Sequence, residues 1–123
     1  MSADHVHLVD DDADVRATLA RLIRSGGYIV REYESGEELL ASADLLRSGC
    51  ILLDISMPGQ DGFAVHRALA ERAVELPVIM MTGSGDLTIL AIKAGASDFM
   101  QKPFGRGELL SVLEQLFAGA GHD

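Results

Sequence analysis

Short apolar runs alternate with helical patterns along this 123-residue chain. Five runs have the length and composition of β-strands, and they cover residues 6–9, 28–30, 51–53, 78–81 and 98–100. Segments with apolar residues at helical spacing follow each of them. Such alternation is typical of a parallel sheet with helices packed on both faces. We therefore predict one doubly wound α/β domain of five strands, with the strand order 2-1-3-4-5 that suits a chain of this length.

The helices are predicted from apolar spacing and from the residues that begin and end them. The first covers 13–25 and ends at the glycines 26–27, because glycine readily adopts the left-handed conformation that many helix ends require. Ser35, followed three positions later by Glu38, forms a capping box that begins a second helix, which runs to about residue 43. The remaining helices are predicted at 63–73, 87–94 and 106–117.

Composition and charge exclude several classes of function. The net charge is −9, from 10 basic and 19 acidic residues, whereas non-specific nucleic-acid binding requires a basic surface. No apolar run has the length of a transmembrane helix, and a signal peptide is not evident, so we expect no membrane association and a cytoplasmic protein. The single cysteine, Cys50, fits a reducing compartment and is expected to be a small core residue. The four histidines lie on separate elements and do not form a metal-ligand set.

Polar residues follow four of the five predicted strands. The first run leads into the aspartates 10–12, the third ends at Asp54, the fourth ends at Thr82, and Lys102 follows the fifth. The second run ends in the ordinary charges of residues 31–32. In a parallel sheet the carboxyl ends of the strands lie at one edge, where open α/β folds bind their ligands. We therefore expect these polar residues to converge on one site.

Converging carboxylates repel one another, so the site requires protonation or a cation. At about 5 Å and an effective dielectric constant of about 20, each pair of like charges costs about 3 kcal/mol. Oxygen ligands at such an edge suit Mg²⁺ better than Zn²⁺. Aspartates at 10–12 can instead cap the first helix, and we expect one of the three to do so. The Asp54 carboxylate can attack phosphorus, while the Thr82 hydroxyl and the Lys102 ammonium can bind phosphoryl oxygens.

Six short motifs occur in a fixed order along the chain. They are Val9-Asp10-Asp11, Leu53-Asp54-Ile55-Ser56-Met57-Pro58, Asp61-Gly62, Met81-Thr82-Gly83, Ala94-Gly95-Ala96 and Lys102-Pro103-Phe104. In this order and spacing the chain resembles the receiver domain of two-component response regulators, the CheY-like or flavodoxin-like fold, over about residues 5–117. The sequence at 82–86 and 98–99 resembles most closely that of the nitrogen-fixation-type transcription regulators. We expect a receiver domain over 1–118 and a flexible tail or the start of a linker over 119–123.

The resemblance implies a phosphorylation site and a metal site. Asp54 would accept a phosphoryl group from a phosphohistidine on a sensor histidine kinase. Asp11, Asp54 and the backbone carbonyl of Ser56 would bind Mg²⁺ directly, and Asp10 would act through water. The domain would then be a phosphoacceptor rather than a classical enzyme, with self-catalysed phosphotransfer and autodephosphorylation as its only reactions.

The resemblance also implies a switch. Thr82 and Lys102 would bind the phosphoryl oxygens, and the peptide bond between Lys102 and Pro103 would be cis. Movement of Thr82 toward the phosphoryl group would let Phe99 turn inward. The alternative for Phe99 is an ordinary core phenylalanine.

The predicted fourth helix, 87–94, is apolar nearly all round, and the segment between Thr82 and Lys102 is a couple of residues shorter than usual for the family. An exposed apolar face there would favour a partner or a homodimer through the fourth helix, the fifth strand and the fifth helix. Deeper burial of that helix is the equal alternative.

Two other classes of function compete with the receiver interpretation. A Mg²⁺-dependent phosphatase of the haloacid dehalogenase type also uses an aspartyl nucleophile, but it carries a second aspartate two positions later, where this chain has Ser56. A flavin- or nucleotide-binding protein would need a phosphate-binding turn after the first strand, and the aspartates at 10–12 would repel phosphate there. Two alternatives for the output are left: a stand-alone receiver that acts through protein contacts, or the N-terminal part of a transcription regulator.

Overall fold

Five parallel strands form one sheet in the order β2-β1-β3-β4-β5, which confirms the predicted topology. The computed structural model describes residues 4–56, 62–83 and 95–120. The strands are β1 His5–Val9, β2 Ile29–Tyr33, β3 Cys50–Asp54, β4 Val78–Thr82 and β5 Asp98–Gln101. β3 therefore lies at the centre of the sheet, as its uniformly apolar sequence indicates.

Helices cover both faces of the sheet. The helical elements are α1 Ala13–Ser25, α2 Gly36–Ala41, a short 3₁₀ helix Ala43–Leu45, α3 Gly62–Glu71 and the C-terminal helix Arg106–Ala120. The C-terminal helix continues beyond its predicted end at 117 and so extends into the segment 119–123 that the sequence suggested as tail or linker. The domain boundary itself stays a prediction. The helix predicted at 87–94 lies outside the described residues.

The ends of α1 follow from local side-chain chemistry. Asp12 caps the helix, since its carboxylate accepts hydrogen bonds from the backbone N–H groups of Asp14 at 3.0 Å and Val15 at 3.1 Å. One of the three consecutive aspartates is thus a cap, and two are left for other roles. At the other end Gly27 has a φ of 94°, the left-handed conformation that glycine permits.

The second and third helices end earlier than their sequences suggest. Ser35 caps α2 as predicted, accepting the Glu38 N–H at 3.0 Å. The chain then tightens into the 3₁₀ helix, so α2 ends at Ala41. α3 ends at Glu71 instead of about residue 73, because Ala73 takes a left-handed φ of 59° that cannot continue a right-handed helix.

Two apolar clusters hold the sheet between the helices. The cluster on the side of α1 and the C-terminal helix includes Leu8, Ile23, Leu52, Ile79, Leu109 and Leu113. The cluster on the side of α2 and α3 includes Val9, Leu39, Ile51, Leu53, Leu69 and Met80. Each fully buried aliphatic side chain contributes roughly 1.5–3 kcal/mol, so the strand ends rest on a rigid support. Among the described residues, none of the helices combines the length and the apolar character needed to span a bilayer.

Two of the histidines, His5 and His7, share β1, so the expectation that all four lie on separate elements is wrong. His7 is part of the core. His7 is only 1% exposed, with Nδ1 3.1 Å from the Tyr33 hydroxyl and Nε2 3.4 Å from the Ser48 carbonyl. A carbonyl can only accept, so the proton lies on Nε2 and Nδ1 accepts from Tyr33 in the neutral ring. Burial lowers the pKa of His7, an effect that the Ser48 hydrogen bond opposes. His7 is therefore held neutral as a structural residue.

We predict that His7 makes the fold sensitive to acid. Its folded pKa lies below the unfolded value of about 6.5, so its contribution is complete above that pH and is lost as the pH falls toward the folded pKa. The free energy of unfolding in urea should fall between pH 7.5 and 5.5 by at most about 1.4 kcal/mol per pH unit from this group. The fall should be shallower in His7→Phe, and to a smaller extent in His66→Gln, because burial also lowers the pKa of that half-buried ring. Equal slopes in wild type and His7→Phe would contradict this assignment.

Candidate functional site

The polar residues that end the strands lie together at the carboxyl edge of the sheet. Asp10 directly follows β1, Asp54 is the last residue of β3, and Thr82 is the last residue of β4. These three strands are neighbours, and Lys102 follows β5, the next strand along. The expected convergence is therefore present. It results from parallel strands that end at the same level.

Three carboxylates form the centre of the site. One oxygen from each of Asp10, Asp11 and Asp54 lies within 4.8 Å of the others. Asp10 and Asp54 are buried, at 0% and 4% exposure, whereas Asp11 is exposed. Three hard oxygen donors, one of them open to water, fit the preference of Mg²⁺ for carboxylates that leave room for bound water.

Asp10 is fixed by four hydrogen bonds. Its backbone N–H donates to the Tyr33 carbonyl at 3.2 Å, and its own carbonyl accepts from Arg16 Nη1 at 2.7 Å. Of its carboxylate oxygens, Oδ1 accepts the Asp12 N–H at 3.0 Å and Oδ2 accepts from Lys102 Nζ at 2.7 Å. Backbone and side chain are both engaged within the protein, so Asp10 is the most constrained of the three acids.

Asp54 has one donor on each carboxylate oxygen. Oδ1 accepts the Ser56 N–H at 2.8 Å, and Oδ2 accepts from Lys102 Nζ at 3.0 Å. Burial raises the pKa of Asp54 above its ordinary value and the negative charge of Asp10 adds to this, while Ser56 and Lys102 act in the opposite direction. A carboxylate kept anionic mainly by two neighbours is readily perturbed when either neighbour changes partner.

Lys102 bridges the two buried carboxylates. Burial alone would lower the pKa of its ammonium group, but the hydrogen bonds and charges of Asp10 and Asp54 outweigh burial and raise it. Lys102 therefore stays protonated and compensates the charge of the acids. Its backbone N–H donates to the Thr82 carbonyl at 2.7 Å, and its peptide bond to Pro103 is cis.

A pair of hydroxyl groups flanks Asp54 on the β4 side. Thr82 Oγ1 lies 3.1 Å from Ser56 Oγ, which also accepts the Gly83 N–H at 3.2 Å. Thr82 is buried at 1% exposure, and Ser56 is exposed. The acids thus have an ammonium group and a hydroxyl group beside them, both of which can donate to a bound oxyanion.

Glycine is required where α3 begins beside the loop that follows Asp54. A Cβ atom on Gly62 would lie 2.7 Å from the Cα of Ile55, closer than van der Waals contact allows. The Asp61-Gly62 motif therefore has a packing reason at its second position. Residues 57–61 of the loop lie outside the described residues.

Phe99 packs in an apolar cluster and not among the acids, whereas Arg16 contacts one of the acids. Phe99 is opposite Met80 in the sheet and is partly buried against the cluster on the α2 and α3 side. Its predicted role as a switch stays a prediction. Arg16, which the sequence interpretation did not select, reaches the carbonyl of Asp10. Its only signal in the sequence is an arginine in the first turn of the helix that follows the acidic strand end.

Comparison with known proteins identifies the family. A family model described as the response regulator receiver domain matches residues 6–114. The chain belongs to this family. The resemblance drawn from the motifs is therefore confirmed, and the chain contains the receiver domain of a response regulator.

Individual relatives agree with the assignment. The tetrathionate response regulatory protein TtrR of Salmonella typhimurium is 41% identical over 112 residues, which cover 89% of this chain and 54% of the relative. The transcriptional regulatory protein FixJ of Rhizobium meliloti is 37% identical over 112 residues, which cover 89% of this chain and 55% of the relative. A crystal structure of FixJ-N superposes with a TM-score of 0.86 at 34% identity, covering 94% of both chains. This receiver domain thus spans about half the length of the curated relatives it matches.

We predict that Lys102 is required for stability chiefly because it compensates Asp10 and Asp54. Lys102→Met should lower the free energy of unfolding at pH 7.5 by about 2–3 kcal/mol, since it leaves two neighbouring carboxylates without their cation at a partly solvated site. The double variant Lys102→Met/Asp54→Asn is the control, because it removes one of the two charges. It should recover part of the loss in urea unfolding. An additive or larger loss in the double variant would show that the charge of Asp54 is not what Lys102 compensates.

Proposed function

We propose that this receiver domain is phosphorylated on Asp54 by the phosphohistidine of a sensor histidine kinase. The supporting observation is the contact of Lys102 Nζ with Asp10 Oδ2 at 2.7 Å and Asp54 Oδ2 at 3.0 Å, beside the exposed Asp11. One acid thus has a donor on each carboxylate oxygen and another is open to a cation. Asp54, which is buried beside the same ammonium group, carries the carboxylate that is suited to attack phosphorus.

Mg²⁺ is the cofactor that the donor set fits best. We assign Asp11, Asp54 and the backbone carbonyl of Ser56 as its direct ligands, with Asp10 acting through water. The indirect role of Asp10 agrees with its complete burial and with the additional bond from Arg16 to its carbonyl, although the carboxylate oxygens of Asp10 and Asp54 have one donor each. When bound, the ion neutralises negative charge on the acids and on the incoming phosphoryl group.

The transfer step is a displacement at phosphorus. A carboxylate oxygen of Asp54 forms a bond to phosphorus as the bond from phosphorus to the histidine nitrogen breaks, which gives an acyl phosphate and releases the imidazole. Lys102 shifts from the carboxylates to one phosphoryl oxygen as a point charge, and the Thr82 hydroxyl donates to another. In autodephosphorylation, water attacks the phosphorus and the Asp54 carboxylate leaves with inorganic phosphate as the other product.

The switch begins at Thr82 and is read at Phe99. A phosphoryl group adds almost two negative charges and new acceptors beside Thr82, whose hydroxyl now lies 3.1 Å from Ser56 Oγ. Recruitment of Thr82 changes the packing behind β4, next to β5, on which Phe99 lies. This is a local charge event that biases a packed two-state element.

The curated relatives are longer proteins, of which the aligned part is about half. Three of these relatives are named transcriptional regulatory proteins. Control of transcription is therefore the output we propose. A homodimer through the predicted fourth helix, the fifth strand and the C-terminal helix is the proposed means. Residues 84–94 lie outside the described residues, so this surface rests on the sequence.

We predict that acetyl phosphate and Mg²⁺ will phosphorylate Asp54. Intact-mass spectrometry should find one labile phosphoryl group on wild type and none on Asp54→Asn. Asp44→Asn is the matched control, since it removes an exposed carboxylate on the 3₁₀ helix and should be phosphorylated like wild type. An adduct that survives in Asp54→Asn, or that maps to Asp61, would contradict the choice of Asp54.

We also predict that activation changes the state of assembly. Light scattering after gel filtration should show a monomer in Mg²⁺ alone and a dimer after addition of beryllofluoride, because the analogue reproduces the charge of the phosphoryl group at Asp54. Asp54→Asn should stay monomeric under both conditions. A wild-type chain that remains a monomer with bound beryllofluoride would exclude the dimer without affecting the phosphorylation site.

A further inference from the structure

A partly buried arginine connects the acidic site to the end of β2. The Arg16 side chain is only 13% exposed, and its Nη1 donates to the Asp10 carbonyl at 2.7 Å. The same guanidinium also lies near two glutamates at the end of β2. Its Nε is 3.6 Å from Glu32, and its Nη2 is 3.9 Å from Glu34. One nitrogen of the planar group is thus hydrogen-bonded at the end of β1, and the other two form longer ion pairs at the end of β2.

The Asp10 carbonyl belongs to the peptide unit that leads into Asp11. Holding this oxygen fixes the plane of the peptide, because the unit is rigid. The position of the Asp11 Cα follows from that plane. Asp11 is the exposed acid of the cluster, so its carboxylate depends on a well-placed backbone more than the buried acids do.

We propose that Arg16 is a positioning residue for the divalent cation, acting through the Asp10 carbonyl on the carboxylate of Asp11. This inference rests on the proposed function, in which Asp11 is a direct ligand of the ion. Arg16 itself carries a positive charge and touches no proposed ligand atom. Its effect on the cation is therefore the sum of a repulsion, which weakens binding, and an ordering of Asp11, which strengthens it.

The chain offers a matched control in Arg24. Arg24 also lies on α1 and also pairs with Glu32, at 3.4 Å. It also has a backbone carbonyl as acceptor, but that carbonyl belongs to Val30 at 3.3 Å, inside β2 and away from the acids. Arg16→Met and Arg24→Met each remove one positive charge and one partner of Glu32. They differ in that Arg16→Met also removes the donor of the Asp10 carbonyl and a long ion pair with the exposed Glu34, and in that Arg24 is the more exposed of the two.

The two possible effects of Arg16 have opposite signs. If it acted only through charge, Arg16→Met would bind a divalent cation more tightly, because a repelling charge has been removed. If it positions Asp11, the same variant binds the cation more weakly, and loss of an outer partner of a metal ligand typically costs 10–100-fold in affinity. We expect roughly ten-fold weaker binding, the low end of that range, since Arg16 acts through one peptide unit.

The experiment is a titration with Mn²⁺, followed by electron paramagnetic resonance of the free ion and checked by competition with Mg²⁺. The affinity should fall roughly ten-fold in Arg16→Met and stay near wild type or rise in Arg24→Met. Urea unfolding without metal is measured in parallel, because a purely structural role would lower stability and leave the affinity of the folded protein unchanged. Should Arg16→Met be too unstable to titrate, Arg16→Lys keeps the charge but lacks the planar fork, and it too should bind Mn²⁺ more weakly than wild type.

The outcomes separate the inference from the function on which it rests. Affinity in Arg16→Met equal to or tighter than wild type, or an equal loss in Arg24→Met, would overturn the role of Arg16. Wild type that does not bind Mn²⁺, or binds it equally well as Asp11→Asn, would instead overturn the proposed metal site.

Discussion

The contact of one ammonium group with two buried carboxylates is the interaction on which this molecule depends. Parallel strands that end at the same level bring Asp10 and Asp54 together, and two apolar clusters hold those ends in place. The sheet cannot relieve the repulsion by moving apart, because that would open a close-packed core. Lys102 compensates both charges at 2.7 and 3.0 Å. The rigid core thus keeps two negative charges close together. This proximity makes the site sensitive to bound cations and anions.

The acids differ in how far the protein itself satisfies them. Asp10 has a donor on each carboxylate oxygen and on its carbonyl, Asp54 has one donor per oxygen, and Asp11 is exposed. A chemical role follows from each degree of satisfaction. The most constrained acid is suited to shape the site, the intermediate one to react, and the exposed one to meet a hydrated ion. The three aspartates are chemically identical in the sequence. The order of the strands and the beginning of α1 give them different burial and different hydrogen-bond donors.

Repeated patterns and local caps were predictable from the sequence, whereas side-chain contacts between distant elements were less so. The parallel sheet followed from the alternation of elements, and its strand order from the doubly wound arrangement that suits this length. One aspartate at 10–12 was expected to cap α1, as Asp12 does. The early end of α3 at a left-handed Ala73 is not predictable, since alanine favours helix and only the surrounding packing selects the other conformation. Arg16 was not selected for a related reason. An arginine on an amphipathic helix is usually solvated, and its burial appears only when the end of β2 is placed beside it.

The pairing of β4 with β5 connects the site at the edge of the sheet to the apolar clusters on both of its faces. The Lys102 N–H donates to the Thr82 carbonyl at 2.7 Å, so one main-chain hydrogen bond joins the two residues that we propose to bind phosphoryl oxygens. Three residues before Lys102, Phe99 packs on the α2 and α3 side, while Met100 packs on the side of α1 and the C-terminal helix. If a phosphoryl group draws Lys102 from the carboxylates and Thr82 toward itself, the ends of both strands move together. A shift at this edge then reaches both apolar clusters at once, because successive residues of one strand face opposite sides of the sheet.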